Sequence, residues 1–109
     1  MDQLPSELAE FHIECRHGKA ILVVAGEVDI SNEDEFLDQL RNLIGAARST
    51  SLVDLSAVTF FGSSGISALL KASRDAQQKG INLVMAAPSL IVRQVLDATG
   101  LSSIFEIRD

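Results

Sequence analysis

The chain has no tryptophan and no tyrosine, and its only aromatic residues are five phenylalanines. Stacking platforms for bases and sugars are therefore scarce, which counts against single-stranded nucleic acid as a ligand. A single cysteine, Cys15, excludes an internal disulfide and CxxC redox chemistry. Cations are the minority charge, with 9 Lys and Arg against 15 Asp and Glu and a net charge of −6. That balance disfavours direct contact with nucleic acid or an anionic membrane and suits a partner that offers basic residues. No apolar run approaches the roughly 20 residues that span a bilayer, so no membrane insertion is expected. The opening segment MDQLPSELAEF is acidic and carries neither the charged nor the apolar region of a signal peptide. A cytoplasmic protein is the expectation. The two prolines, Pro5 and Pro88, do not divide the chain, and there is no repeat, low-complexity tract or linker. One domain over residues 1–109 is expected.

What is present is apolar and periodic, 47% hydrophobic against 22% charged, as in a globular α/β protein with an aliphatic core. Phe11, Ile13 and Cys15 alternate with His12, Glu14 and Arg16, which predicts a strand with Cys15 buried as a small apolar residue. His17-Gly18-Lys19 then turns the chain into a buried strand over Ala20 to Ala25, giving an antiparallel hairpin. After a Gly26-Glu27-Val28-Asp29 turn, Ser31 is the expected N-cap of a helix, with Asp34 three residues on. The apolar stripe of that helix is Phe36, Leu37, Leu40, Leu43, Ile44 and Ala47.

Ser51 to Leu55 reads as a strand covered on both faces, because it is almost wholly apolar. A small-residue turn leads into a second helix that buries Ile66, Leu69, Leu70 and Ala76 and stops at Gly80. Ile81 to Ala87 is a further strand. A third helix starts near Pro88-Ser89, buries Ile91, Val92, Val95 and Leu96, and ends at Gly100, before a last strand over Ser103 to Ile107. The order predicts a mixed, mostly parallel sheet of about five strands with an antiparallel amino-terminal hairpin, and three helices.

Enzyme motifs are missing. Gly62-Ser63-Ser64-Gly65 has the wrong glycine spacing for a G-x-S-x-G nucleophile elbow, and nothing brings His12 or His17 to a serine. There is no phosphate-cradling GxxxxGK[ST] and no GxGxxG, and neither histidine belongs to a metal-ligand cluster. No catalytic residue, cofactor or metal is expected. Two serines between two glycines at a helix mouth have a plain structural use, since either Ser63 or Ser64 would cap the helix by accepting a backbone N–H. The same place has a positive helix field that would favour a phosphate.

Asp54-Leu55-Ser56-Ala57-Val58-Thr59-Phe60, followed by Ser63-Ser64-Gly65-Ile66, closely resembles the signature of STAS domains, in particular bacterial anti-sigma factor antagonists. Gly26-Glu27-Val28-Asp29 is similar to the family's G-E-[LV]-D turn. Pro88, Val92, Leu96, Gly100-Leu101 and Phe105 are similar to its carboxy-terminal run. The resemblance spans nearly the whole chain and implies the STAS fold. It implies that an anti-sigma factor with serine-kinase activity phosphorylates Ser63, with Ser64 as second choice, and that a phosphatase resets it. The unphosphorylated form would bind the anti-sigma factor and release its sigma factor. The implied partner surface is Glu27, Asp29, Ser31, Gly62, Ser63, Ser64, Gly65 and Ile66. The family's aspartate before the phosphoacceptor is Gly62 here. An alternative role within the family is a regulatory subunit of a lipid-transport ATPase, with the same surface as a permanent docking face.

Overall fold

Residues 8–109 are described by the computed structural model, and the acidic opening segment before them lies outside the described residues. The fold starts with a hairpin. β1 (Ala9–Arg16) and β2 (Lys19–Val28) pair antiparallel from Ala9↔Gly26 to Arg16↔Lys19. They are joined by His17 and Gly18 with φ of 52° and 77°. Two positive φ values in a two-residue loop are the type I′ geometry that matches strand twist. Paired residues share a sheet face, so Phe11, Ile13 and Cys15 lie on the side of Val24, Leu22 and Ala20. Only Phe11 is partly covered there, stacked on Phe36 at 5.7 Å between ring centroids. Ile13 is 37% exposed, and Cys15, expected to be buried, is exposed. The reason is that β1 is the edge strand, and an open groove lies beside Ile13, Cys15 and Ala20 where the helix covering them ends at Ala46.

From β2 the chain alternates helix and strand: α1 (Glu33–Ala46), β3 (Thr50–Phe61), α2 (Ser63–Gln78), β4 (Asn82–Ala86), α3 (Leu90–Ala98), a 3₁₀ turn over Leu101–Ser103, and β5 (Glu106–Arg108). The sheet order is β1-β2-β3-β4-β5, parallel beyond the hairpin. This is the expected α/β fold class, though two strands run further than their sequence pattern indicates. β2 continues through Gly26-Glu27 to Val28, where a turn is expected, and β3 runs on from Leu55 to Phe61. Between β2 and β3 the register shifts twice, each time with one extra residue on β3. Those bulges break the two-residue alternation, so the buried positions are Ser51, Val53 and Leu55, then Val58 and Phe61. At the other end of the chain β5 is only three residues, because Ser103 belongs to the 3₁₀ turn.

A monotonic strand order with right-handed crossovers places successive helices on one sheet face. Burial agrees: Leu22, Val24, Val53, Leu55, Leu83 and Met85 form one core with Phe36, Leu40, Leu69, Val92 and Leu96 from the three helices. Burying each such side chain contributes about 1.5–3 kcal/mol. The opposite face holds Ile21, Leu52 and Val84 outside that core, between Glu14, Asp54 and Glu106. β3 is therefore covered by helices on one face and not on both, and Leu52 and Asp54 are only half-buried. Two expected core residues point outward, Leu70 (36% exposed) and Ile91 (37%), because each helix buries only the stripe facing the sheet. On α2 that stripe is Gly65, Ala68, Leu69, Ala72 and Ala76. The helix stops as expected at Gly80, whose N–H donates to Gln77 O while Ile81 N–H donates to Ala76 O.

Candidate functional site

Two loops leave the same end of adjacent parallel strands, one after Val28 and one after Phe61, which are partners in register. They are tied together by Gly62 N–H donating to Val28 O at 3.0 Å. The first is a tight turn over Asp29–Asn32, closed by Asn32 N–H to Asp29 O at 3.2 Å. Its polar side chains all bond inward. Asp29 Oδ1 accepts from Ser31 N–H at 2.9 Å and from the Ser31 hydroxyl at 2.5 Å. The Asn32 amide accepts from Asp29 N–H at 2.9 Å and donates to Glu27 O at 2.8 Å, from a side chain buried to 2% exposure. Asn32, not the expected Ser31, occupies the N-cap of α1, and neither caps it with a side chain. Glu33, Asp34 and Glu35 in the first turn complement the helix field instead.

The second loop is one residue long. Gly62 is the N-cap of α2, accepting from Gly65 N–H at 3.0 Å, and Ser63 and Ser64 are the first two helical residues. Neither serine caps the helix, which corrects the capping expectation. A cap must precede the first helical residue, and these two serines are themselves the first residues of the helix. Their hydroxyls have no hydrogen-bond partner among the described residues. Ser63 is exposed and Ser64 half-buried. No acidic residue sits in the first turn of α2, in contrast to α1, so its positive end is not neutralised from within the helix.

Of the residues expected to face a partner, Glu27, Ser31 and Ser63 are exposed, and Asp29, Gly62, Ser64 and Ile66 are half-buried. All lie on or beside these two loops. Gly65 is buried for a packing reason: a Cβ there would come within 2.7 Å of the Phe61 ring. That ring meets Phe36 edge-on at 6.1 Å between centroids, so the start of α2 is seated directly on the core. Two apolar residues that the sequence pattern did not single out also stand at this end, Ile30 (83% exposed) and Phe60 (46%). An isoleucine between Asp29 and Ser31, in a polar turn, is the signal that marks the first. Phe60 is masked by the apolar run around it. Among the described residues no group of three or more His, Cys, Asp or Glu is placed to hold a metal, and no helix is long and apolar enough to cross a membrane.

A one-faced β-α array with a hydroxyl-headed second helix beside a pinned strand-end turn is the architecture of the STAS class. The chain belongs to the STAS domain family, whose family model matches residues 10–109. Among solved structures it is similar to an anti-sigma factor antagonist from Mycobacterium paratuberculosis, with a TM-score of 0.82 and 22% identity over 96% of this chain and 90% of that one. It is also similar to the anti-sigma factor antagonist SpoIIAA in its unphosphorylated form, with a TM-score of 0.73 and 21% identity over 90% of this chain and 87% of that one. The phosphorylated form of the Bacillus cell fate determinant SpoIIAA matches with a TM-score of 0.67 and 20% identity, over 90% of each chain. At these identities the likeness is one of fold.

Proposed function

We propose that this chain is a cytoplasmic anti-sigma factor antagonist that binds a serine-kinase anti-sigma factor, frees its sigma factor, and is switched by phosphorylation of Ser63. The observation that carries this reading is the Ser63 hydroxyl, exposed and unpartnered at the first residue of α2, on a helix end with no acidic residue in its first turn. In the transfer, Ser63 Oγ attacks the γ-phosphorus of ATP, the kinase accepts the hydroxyl proton, and ADP leaves. Hydrolysis by a phosphatase restores the hydroxyl. The antagonist itself catalyses neither step.

The modification adds about −1.5 to −2 charges and strong acceptor oxygens. The helix end offers that phosphate only around 0.3–1 kcal/mol, so the domain has little reason to refold. A surface that docks on a bare hydroxyl must instead desolvate a dianion, and a penalty of about 2.7 kcal/mol cuts affinity a hundredfold. Incubation with the anti-sigma factor and ATP should add one phosphate by intact mass, and Ser63→Ala should remove that gain. Ser63→Asp should abolish binding while Ser63→Ala preserves it. Equal affinities for the two variants would exclude the switch.

Gly62 supports a second reading, a regulatory subunit of a lipid-transport ATPase that uses the same surface as a permanent docking face. The family's carboxylate before the phosphoacceptor is absent, which favours a contact that is never switched. Co-purification discriminates, since an ATPase subunit favours this reading and a kinase-type anti-sigma factor the first.

A further inference from the structure

We propose that Ile30 and Phe60 are the apolar anchor by which this chain seats on its anti-sigma partner. Ile30 enters an apolar pocket of the partner, and a basic side chain on the rim of that pocket faces Glu27. The inference rests on the anti-sigma reading above and adds to it the residues that hold the complex together.

Ile30 is the most exposed large apolar side chain among the described residues, at 83%. It contributes almost nothing to the core, yet the turn beneath it is heavily built. The Asp29 carboxylate and the buried Asn32 amide bond to the backbone at Glu27, Asp29 and Ser31, at 2.8 to 2.9 Å. Polar bonding of this density, spent on holding an isoleucine out in water, gives a rigid anchor that loses little conformational entropy when it docks.

Phe60 stands at the same end of the sheet and is 46% exposed. It pairs in register with Glu27, and its ring lies against the α2 junction, 3.3 Å from where a Cβ on Gly62 would sit. The turn and the junction are joined through the bond from Gly62 N–H to Val28 O. Anchor and switch therefore share one rigid end of the sheet. A phosphate on Ser63 would add charge at the same end of the sheet, which must be desolvated for docking.

Charge identifies the rim. Glu27 is exposed and its carboxylate has no hydrogen-bond or ion-pair partner among the described residues, in a chain of net charge −6. A Lys or Arg of the partner is the group that complements it.

The test titrates the full chain against each purified serine-kinase anti-sigma factor encoded in the same genome, in the presence of ADP, by calorimetry and surface plasmon resonance. Ile30→Ser should weaken binding at least about thirtyfold, the effect of a hot-spot residue. Ile30→Leu should restore it, and the thermal midpoint should not move in either variant. Phe60→Ser should weaken binding in the same direction. Glu27→Gln should slow association and flatten its dependence on salt. If Ile30→Ser binds like the wild type while Ser63→Asp does not bind, the anchor is wrong and the anti-sigma reading stands. Absence of wild-type binding to every one of these proteins overturns both. A wild-type dimer in sedimentation that Ile30→Ser converts to monomer makes the patch a self-interface and overturns the anchor.

Discussion

Gly26 and Gly62 flank the same site and constrain it in opposite ways. Gly26 has φ of +97°, and a Cβ there would lie 2.2 Å from Leu8 O. The conformation alone costs a side chain about 1–3 kcal/mol, and the overlap with backbone cannot be relieved by a rotamer. Gly26→Ala should therefore lower unfolding stability by at least that amount in urea titration, and a loss under about 0.5 kcal/mol would be inconsistent with this geometry. Gly62 has φ of −84°, an extended conformation open to any residue, and its nearest neighbour would be the edge of the Phe60 ring. Gly62→Asp should fold, gain a few tenths of a kcal/mol as an N-cap, and accelerate phosphorylation of Ser63. The initial rate with labelled ATP checks this, and an unchanged rate would mean that the missing carboxylate does not limit the reaction.

Elements meet through surface pairs whose value is modest. Arg41 Nε bonds Asp75 Oδ2 at 2.8 Å and Lys71 approaches Glu33 at 3.6 Å, so α1 and α2 are bridged twice. Exposed pairs of this kind contribute about 0–1 kcal/mol each. At the β4–β5 edge, Asn82 Nδ2 donates to Glu106 Oε1 at 2.9 Å, and Arg108 bonds the other oxygen at 2.8 Å. The Asn82 bond first, and Arg108 second, hold the Glu106 carboxyl below its ordinary 4.5. A carboxyl depressed on folding stabilises the protein above its unfolded value and loses that contribution as pH falls through the folded one. Asn82→Ala should raise the Glu106 titration midpoint toward the ordinary value and weaken this acid dependence. An NMR pH titration of the Glu106 side-chain carboxyl reads it, and an unmoved midpoint would assign the depression to Arg108 alone.

At the scale of the molecule, the core and the proposed switch are separated. Phe36, Leu40 and Leu69 are fully buried in one cluster, whereas Ser63 projects from a helix mouth seated on that cluster through Gly65 and Phe61. Ser63 is exposed, so under the proposed switch a phosphate there would act on docking and leave the fold in place. Ser63→Asp should keep the wild-type thermal midpoint, with backbone amide shifts confined to the Asp29–Asn32 turn and the first turn of α2. Shifts spreading to β4 or α3 would point to a conformational mechanism.

Periodicity determined much of this protein by itself: element order, sheet type, the stripe of α1, and a serine pair at the mouth of the second helix are all legible in the chain. Those signals are local, since alternation and helical spacing require only near neighbours. Tertiary structure decided the rest. The lengths of β2 and β3 depend on bulges that only pairing reveals, and alternation fails at Ser56 and Thr59 because the partner strand skips them. Cys15 and Leu70 are exposed because edge position and helix rotation, not hydrophobicity, set which atoms meet the core. The capping role expected of Ser63 or Ser64 fell to Gly62, since the last pair of β3 fixes where the helix begins. That one-residue offset leaves the Ser63 hydroxyl without an internal partner and facing solvent.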